Sequence, residues 1–116
     1  MAGIIVTLDA GEVNAFGAEL QAKAPQAKGL AGIAVRRTAL AVERDAKVFC
    51  PVDTGNLRNS ISTSYGDMRA EVGPTAYYGV FVELGTSKMA PEAYLGPAFD
   101  RHAHELESAL LKIASL

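Results

Sequence analysis

The stretch "CPVDTGNLRNS", residues 50–60, contains Asp53-Thr54-Gly55, the tripeptide that carries the catalytic carboxylate of aspartic proteases. In such an enzyme two aspartates share one proton, and each sits on a tight loop between strands, buried beside its symmetry mate. That chemistry needs apolar strand residues directly ahead of the triplet. Here a helical pattern and Pro51 precede it. The structural alternative accounts for more residues. Pro51 stops the helix, because the residue before proline disfavours the α region. Asp53 accepts a hydrogen bond from a nearby backbone N–H, as in an Asx turn. Gly55 takes the positive φ that reverses the chain, and Leu57 re-enters the core. Asp53-Thr54-Gly55 is therefore expected to be a helix-to-strand corner.

The remaining chemistry-bearing residues form no second site. His102 and His104 stand two apart on a helical pattern, so they point to different faces and are badly placed to share a metal. His102 falls on the apolar stripe and is expected at the core edge, with His104 solvated. Glu83 precedes Gly85 with no nucleophile or second acid near it in sequence, and is expected to be a turn or interface residue. Cys50 has no recognisable His partner and is expected to be a buried small apolar group. No glycine-rich phosphate loop is present. This reading expects no enzyme, no cofactor and no metal.

The elements that must position these residues follow from periodicity. Residues 3–9, "GIIVTLD", favour a short strand. Val13, Phe16, Leu20 and Ala24 mark one face of a helix over 12–24. Pro25 opens a second helix, running from about 26 to 49 and roughly 35 Å long. It carries two apolar stripes, Leu30, Ile33, Leu40 and Val48 on one, Val35, Val42 and Phe49 on the other. Two stripes call either for two packing partners, the second being a neighbouring subunit, or for a helix surrounded by its own fold. Residues 57–65 and 68–73 alternate around the Gly66-Asp67 turn and predict a hairpin with one polar face. Pro74 closes it. Residues 76–84, "AYYGVFVEL", are aromatic and β-branched and predict a third, buried strand. A last amphipathic helix begins at Pro97 and carries Phe99, His102, Leu106, Leu110 and Ile113 on one stripe. The expected fold class is α+β: a long helix on a small antiparallel sheet, in one domain spanning residues 1–116.

The loop at 85–97 carries two glycines and two prolines and is long for so small a domain. Its Met89, Tyr94 and Leu95 are expected either to be exposed and reach a neighbouring subunit, because Met and Tyr are typical of interfaces, or to tuck over the end of their own sheet with Tyr94 and Leu95 capping the core.

Composition bounds the partners. The chain has 116 residues, 49% of them apolar, and a formal net charge of −2. There is no basic cluster to grip nucleic acid, which argues against a toxin–antitoxin or regulatory module. The single cysteine allows no internal disulfide and fits a reducing compartment. The start lacks the basic flank and apolar core of a signal peptide, and no apolar run approaches a membrane span. The expected setting is a cytoplasm, or a particle assembled there.

Taken in order, "CPVDTGNLRNSI" after a long helix, "AYYGVFVELGTSKMAP" after a hairpin and "YLGPAFD" opening a last helix resemble a family of small proteins of long-tailed bacteriophages. These are the neck or tail-completion proteins, the gene-product-ten-like tail components. The matching residues are Pro51, Thr54, Gly55, Leu57, Ser60 and Ile61, then Tyr78, Glu83, Gly85 and Thr86, then Pro97 and Ala98. The resemblance implies a structural virion protein, made in the host cytoplasm. It implies a homo-oligomeric ring with sixfold symmetry at the head–tail junction, among other head-completion and tail proteins. DNA would pass through the lumen unread and uncut. A tail terminator ring capping the tail tube is the alternative within the same resemblance. A small aspartic-type hydrolase using Asp53 is the alternative outside it.

Overall fold

The computed structural model describes residues 4–10, 25–52 and 55–115. Asp53, Thr54 and the helix expected over 12–24 lie outside them. The elements are β1 (Val6–Asp9), α1 (Pro25–Phe49), α2 (Asn56–Ser60), β2 (Ile61–Gly66), β3 (Arg69–Pro74), α3 (Gly79–Leu84) and α4 (Leu95–Ala114). The architecture is α+β, as expected: α1 and α4 pack together and cover a three-stranded antiparallel sheet of order β1-β3-β2.

The sheet's pleat sorts its side chains. Val72 pairs with Val6 on one side and Thr63 on the other, and Ala70 pairs with Leu8 and Tyr65. Directly opposed residues share a face, so these six point to the helices. There Thr63 donates to Glu43 Oε1 of α1 at 3.0 Å, and the Arg36 guanidinium lies 5.8 Å from the centre of the Tyr65 ring. The opposite face carries Ser62, Ser64, Arg69 and Glu71, with Arg69 and Glu71 paired at 2.6 Å. This is the polar face that the alternation of residues 57–73 predicts.

α1 meets this sheet and α4 through Ala31, Val35, Ala39, Val42 and Ala46, all buried. Their small side chains let neighbouring elements approach the helix backbone closely. The inward face of α4 carries Ala98, His102, Leu106 and Leu110.

Three expectations need correction. Residues 76–84 are not a strand: after a bend and turn they form α3, and the third strand of the sheet is β1. Burial along this run follows a helical period, with Gly79 and Glu83 buried and Tyr77, Phe81 and Leu84 exposed. β-propensity measures fit to a pleated surface, and β3 already has a neighbour on each edge. Residues 56–60 form the short helix α2 rather than the start of a strand; Leu57 and Ile61, both buried, are four apart, a helical as well as an alternating interval. The corner at Gly55 therefore joins helix to helix. Finally, α4 begins at Leu95, two residues before Pro97. Proline is tolerated there because the first turn of a helix needs no N–H donor.

Candidate functional site

Several of the residues singled out in the sequence lie together: Pro51, Gly55, Leu57 and Met89 line one groove, and Glu83 of α3 bonds to the start of α4. Gly55 has φ 84° and leads directly into α2, the positive value expected of it. Leu57, two residues later, is buried. At the end of α2, Ser60 Oγ donates to Leu57 O at 2.8 Å and accepts from Ala76 N at 3.2 Å. Thr75 N donates to Ser60 O at 3.0 Å. Ser60 thus ties the α2 corner to the bend leading into α3.

Glu83 holds the centre. It is 8% exposed, and its Oε1 accepts from Tyr94 N at 2.9 Å and from Leu95 N at 2.7 Å. Its Oε2 accepts from Gly96 N at 3.0 Å. These are the first N–H groups of α4, which have no partner within the helix. Tyr94 at the N-cap position offers no side-chain cap, so a carboxylate from α3 does that work across eleven residues or more. A negative charge at a helix N-terminus is favourable, and three N–H donors make its burial tolerable.

Around this carboxylate the loop at 85–94 is tightly drawn. Gly85 has φ 77°, and a Cβ there would meet Pro91 N at 2.8 Å and Met89 O at 2.9 Å. Thr86 and Met89 exchange backbone hydrogen bonds of 2.8 and 3.3 Å, and Lys88 N donates to Thr86 Oγ1 at 3.2 Å. Tyr94 and Leu95 do not stand out of the loop toward a neighbour but take the alternative, inward position. Both are buried in their own fold, and Tyr94 Oη donates to Gly79 O at 3.0 Å. Of the three expected interface residues only Met89 is exposed. An open groove of about 370 Å³, lined by Pro51, Gly55, Leu57, Tyr78, Val82 and Met89 among others, runs between the α2 corner and α3.

The reactive groups here are held in structural bonds. Burial pushes the Cys50 thiol up, with the Arg58 charge acting against it; a nucleophilic cysteine requires the reverse. Burial pushes the Tyr94 phenol up too, helped by Cys50 and Glu83. Pro51 follows the end of α1 and contributes its carbonyl to a 3.5 Å contact with Cys50 Sγ.

A second polar cluster joins α1 to α4. His102 is buried, as its stripe suggests, and its Nε2 lies 2.6 Å from Asp45 Oδ2 and its Nδ1 3.3 Å from Glu105 Oε2. The hydrogen bond from His102 holds the Asp45 carboxyl below its usual value against desolvation, helped by the charges of Arg101, His102 and Arg44. Asp45 was not singled out in the sequence. The available signal was its position: it lies three residues from Val42 on the inward side of α1 and so demanded a partner. His104 is exposed.

The class of protein this defines is a small α+β structural domain whose sequence motifs hold elements together. Residues 14–85 match the family described as "Bacteriophage HK97-gp10, putative tail-component". That is more than half the chain, and the chain belongs to this family of phage tail components, a class of virion-associated structural proteins. The match takes in Pro51, Gly55, Leu57, Ser60, Glu83 and Gly85; Thr86, Pro97 and Ala98 lie beyond it. No curated protein and no solved structure matches the chain. No described helix is long and apolar enough to cross a membrane.

Proposed function

We propose that the protein is a neck or tail-completion component that forms a homo-oligomeric, sixfold ring at the head–tail junction, with DNA passing through the lumen. The observation that carries this reading, beside the family, is the asymmetry of α1. Its small residues face inward, whereas Leu30, Ile33, Leu40 and Val48 are exposed. Aliphatics on the outside of a central helix of a virion component are best explained by a partner. The net charge of −2 suits a channel that lets DNA slide, because tight non-specific binding requires many cationic contacts. Asp53 and Thr54 serve the corner between α1 and α2, and Asp53 does no acid–base work.

Native mass spectrometry with projection imaging of the purified protein tests this. A closed ring of about six copies is expected, equally for Asp53→Asn. A monomer or a compact dimer overturns the ring, and peptidase activity lost in Asp53→Asn overturns the structural role of Asp53.

A further inference from the structure

The geometry points to a specific contact between copies: the outward stripe of α1 in one copy seats on the outward stripe of α4 in the next. This rests on the ring reading and names the surfaces that would build it.

The outward stripe of α1 runs Leu30, Ile33, Arg37, Leu40, Arg44, Val48. The steps of three and four residues keep all six on one side of the helix, opposite the buried alanines. Ile33, Leu40 and Val48 are 52%, 54% and 65% exposed. The Arg44 side chain is 72% exposed and, among the described residues, pairs only with its neighbour Asp45, at 3.8 Å. The outward stripe of α4 runs Asp100, His104, Glu107, Leu111, again in steps of three and four, and all four are exposed. None of Arg37, Asp100 and Glu107 has an ion-pair partner among the described residues.

The two stripes are complementary in sign and in spacing. Arg37 and Arg44 are seven residues apart on α1, and Asp100 and Glu107 are seven apart on α4. Both intervals are about two helical turns, roughly 10.5 Å. Two helices laid side by side can therefore pair both charges at once. Run antiparallel, Arg44 meets Asp100, Arg37 meets Glu107 and Ile33 falls opposite Leu111. Run parallel, Val48 takes the place opposite Leu111. Either way an exposed aliphatic covers the exposed leucine.

The two stripes belong to different helices of one chain, so a copy can engage a different neighbour through each, and in a ring the contact is then heterologous. Each copy offers one donor stripe and one acceptor stripe, and repetition gives a ring when the rotation closes. A second copy is thus the occupant that the charges select. A strongly basic partner would find Arg37 and Arg44 repulsive, and the chain itself carries the matching acids.

The test is charge reversal read by sedimentation velocity, with circular dichroism confirming the fold. Arg37→Glu with Arg44→Glu, and separately Asp100→Lys with Glu107→Lys, are each expected to leave folded monomers. One chain carrying all four reversals restores complementarity and is expected to assemble like the wild type. If a reversed chain fails to fold, Arg37→Gln with Arg44→Gln replaces it. It is expected to raise the concentration for half-assembly about tenfold. Double variants that assemble normally overturn the contact while leaving the ring intact. That is the outcome if another virion protein, or another part of the same chain, covers the α1 stripe. A four-reversal chain that stays monomeric also overturns the contact, and a wild type that is monomeric at every concentration overturns the contact and the ring together.

Discussion

Glu83 shows how much one side chain can carry. Its carboxylate receives three backbone N–H groups from the start of α4, so it fixes the relative position of α3 and α4 and the path of the loop between them. Glu83→Ala leaves those donors without their acceptor in a buried site and is expected to destabilise the fold by about 3 kcal/mol, lowering the melting temperature by about 10 °C. Glu83→Gln keeps an oxygen for Tyr94 N and Leu95 N but turns an amide N–H₂ toward Gly96 N. It should cost about half as much. Urea denaturation of the three proteins measures both. Equal stability of wild type and Glu83→Ala contradicts the role assigned to the carboxylate. Gly55 and Gly85 act at the same scale, each supplying a positive φ that a residue with a Cβ adopts only at a cost.

At the scale of elements, the joint between α1 and α4 depends on the buried hydrogen bond between Asp45 and His102. A carboxyl held below its ordinary value in the fold stabilises the native state above that value and stops doing so as the pH falls through the lower, folded one. For Asp45 the ordinary value is 3.8, so its contribution is complete near neutrality and disappears in acid below it. His102, Glu105, Arg101 and Arg44 face the same carboxylate or its partner. The stability gap between wild type and Asp45→Asn is expected to be widest near pH 7 and to close below about pH 4. Urea midpoints across that range check it, and a gap that is constant from pH 7 to pH 3 rules the assignment out.

At the scale of the molecule, a chain of 116 residues leaves much of its surface uncovered, and here part of that surface is a helical face with four large aliphatics. If assembly buries this face, folding and association are linked by mass action. The melting temperature of the wild type is then expected to rise with protein concentration, as differential scanning fluorimetry over a hundredfold range can show. A concentration-independent value means that the stripe is not covered in a stable assembly.

The sequence by itself determined the fold class, the extent of α1, the hairpin and its polar face, the last helix, and the family. These follow from periodicity, prolines and a motif order that local reasoning can read. The inward position of His102 and the turn at Gly55 belong here too. Only the tertiary structure decided that residues 79–84 are helical, since "AYYGVFVEL" fits a strand by propensity and a helix by the burial of Gly79 and Glu83. It decided between the two positions open to Tyr94 and Leu95, turning both inward, and it made Glu83 a cap for a helix that begins twelve residues later. These outcomes have one physical cause. Each depends on what a distant segment places opposite the residue, an unpaired set of N–H groups for Glu83, the carbonyl of Gly79 for Tyr94, and no local pattern records it.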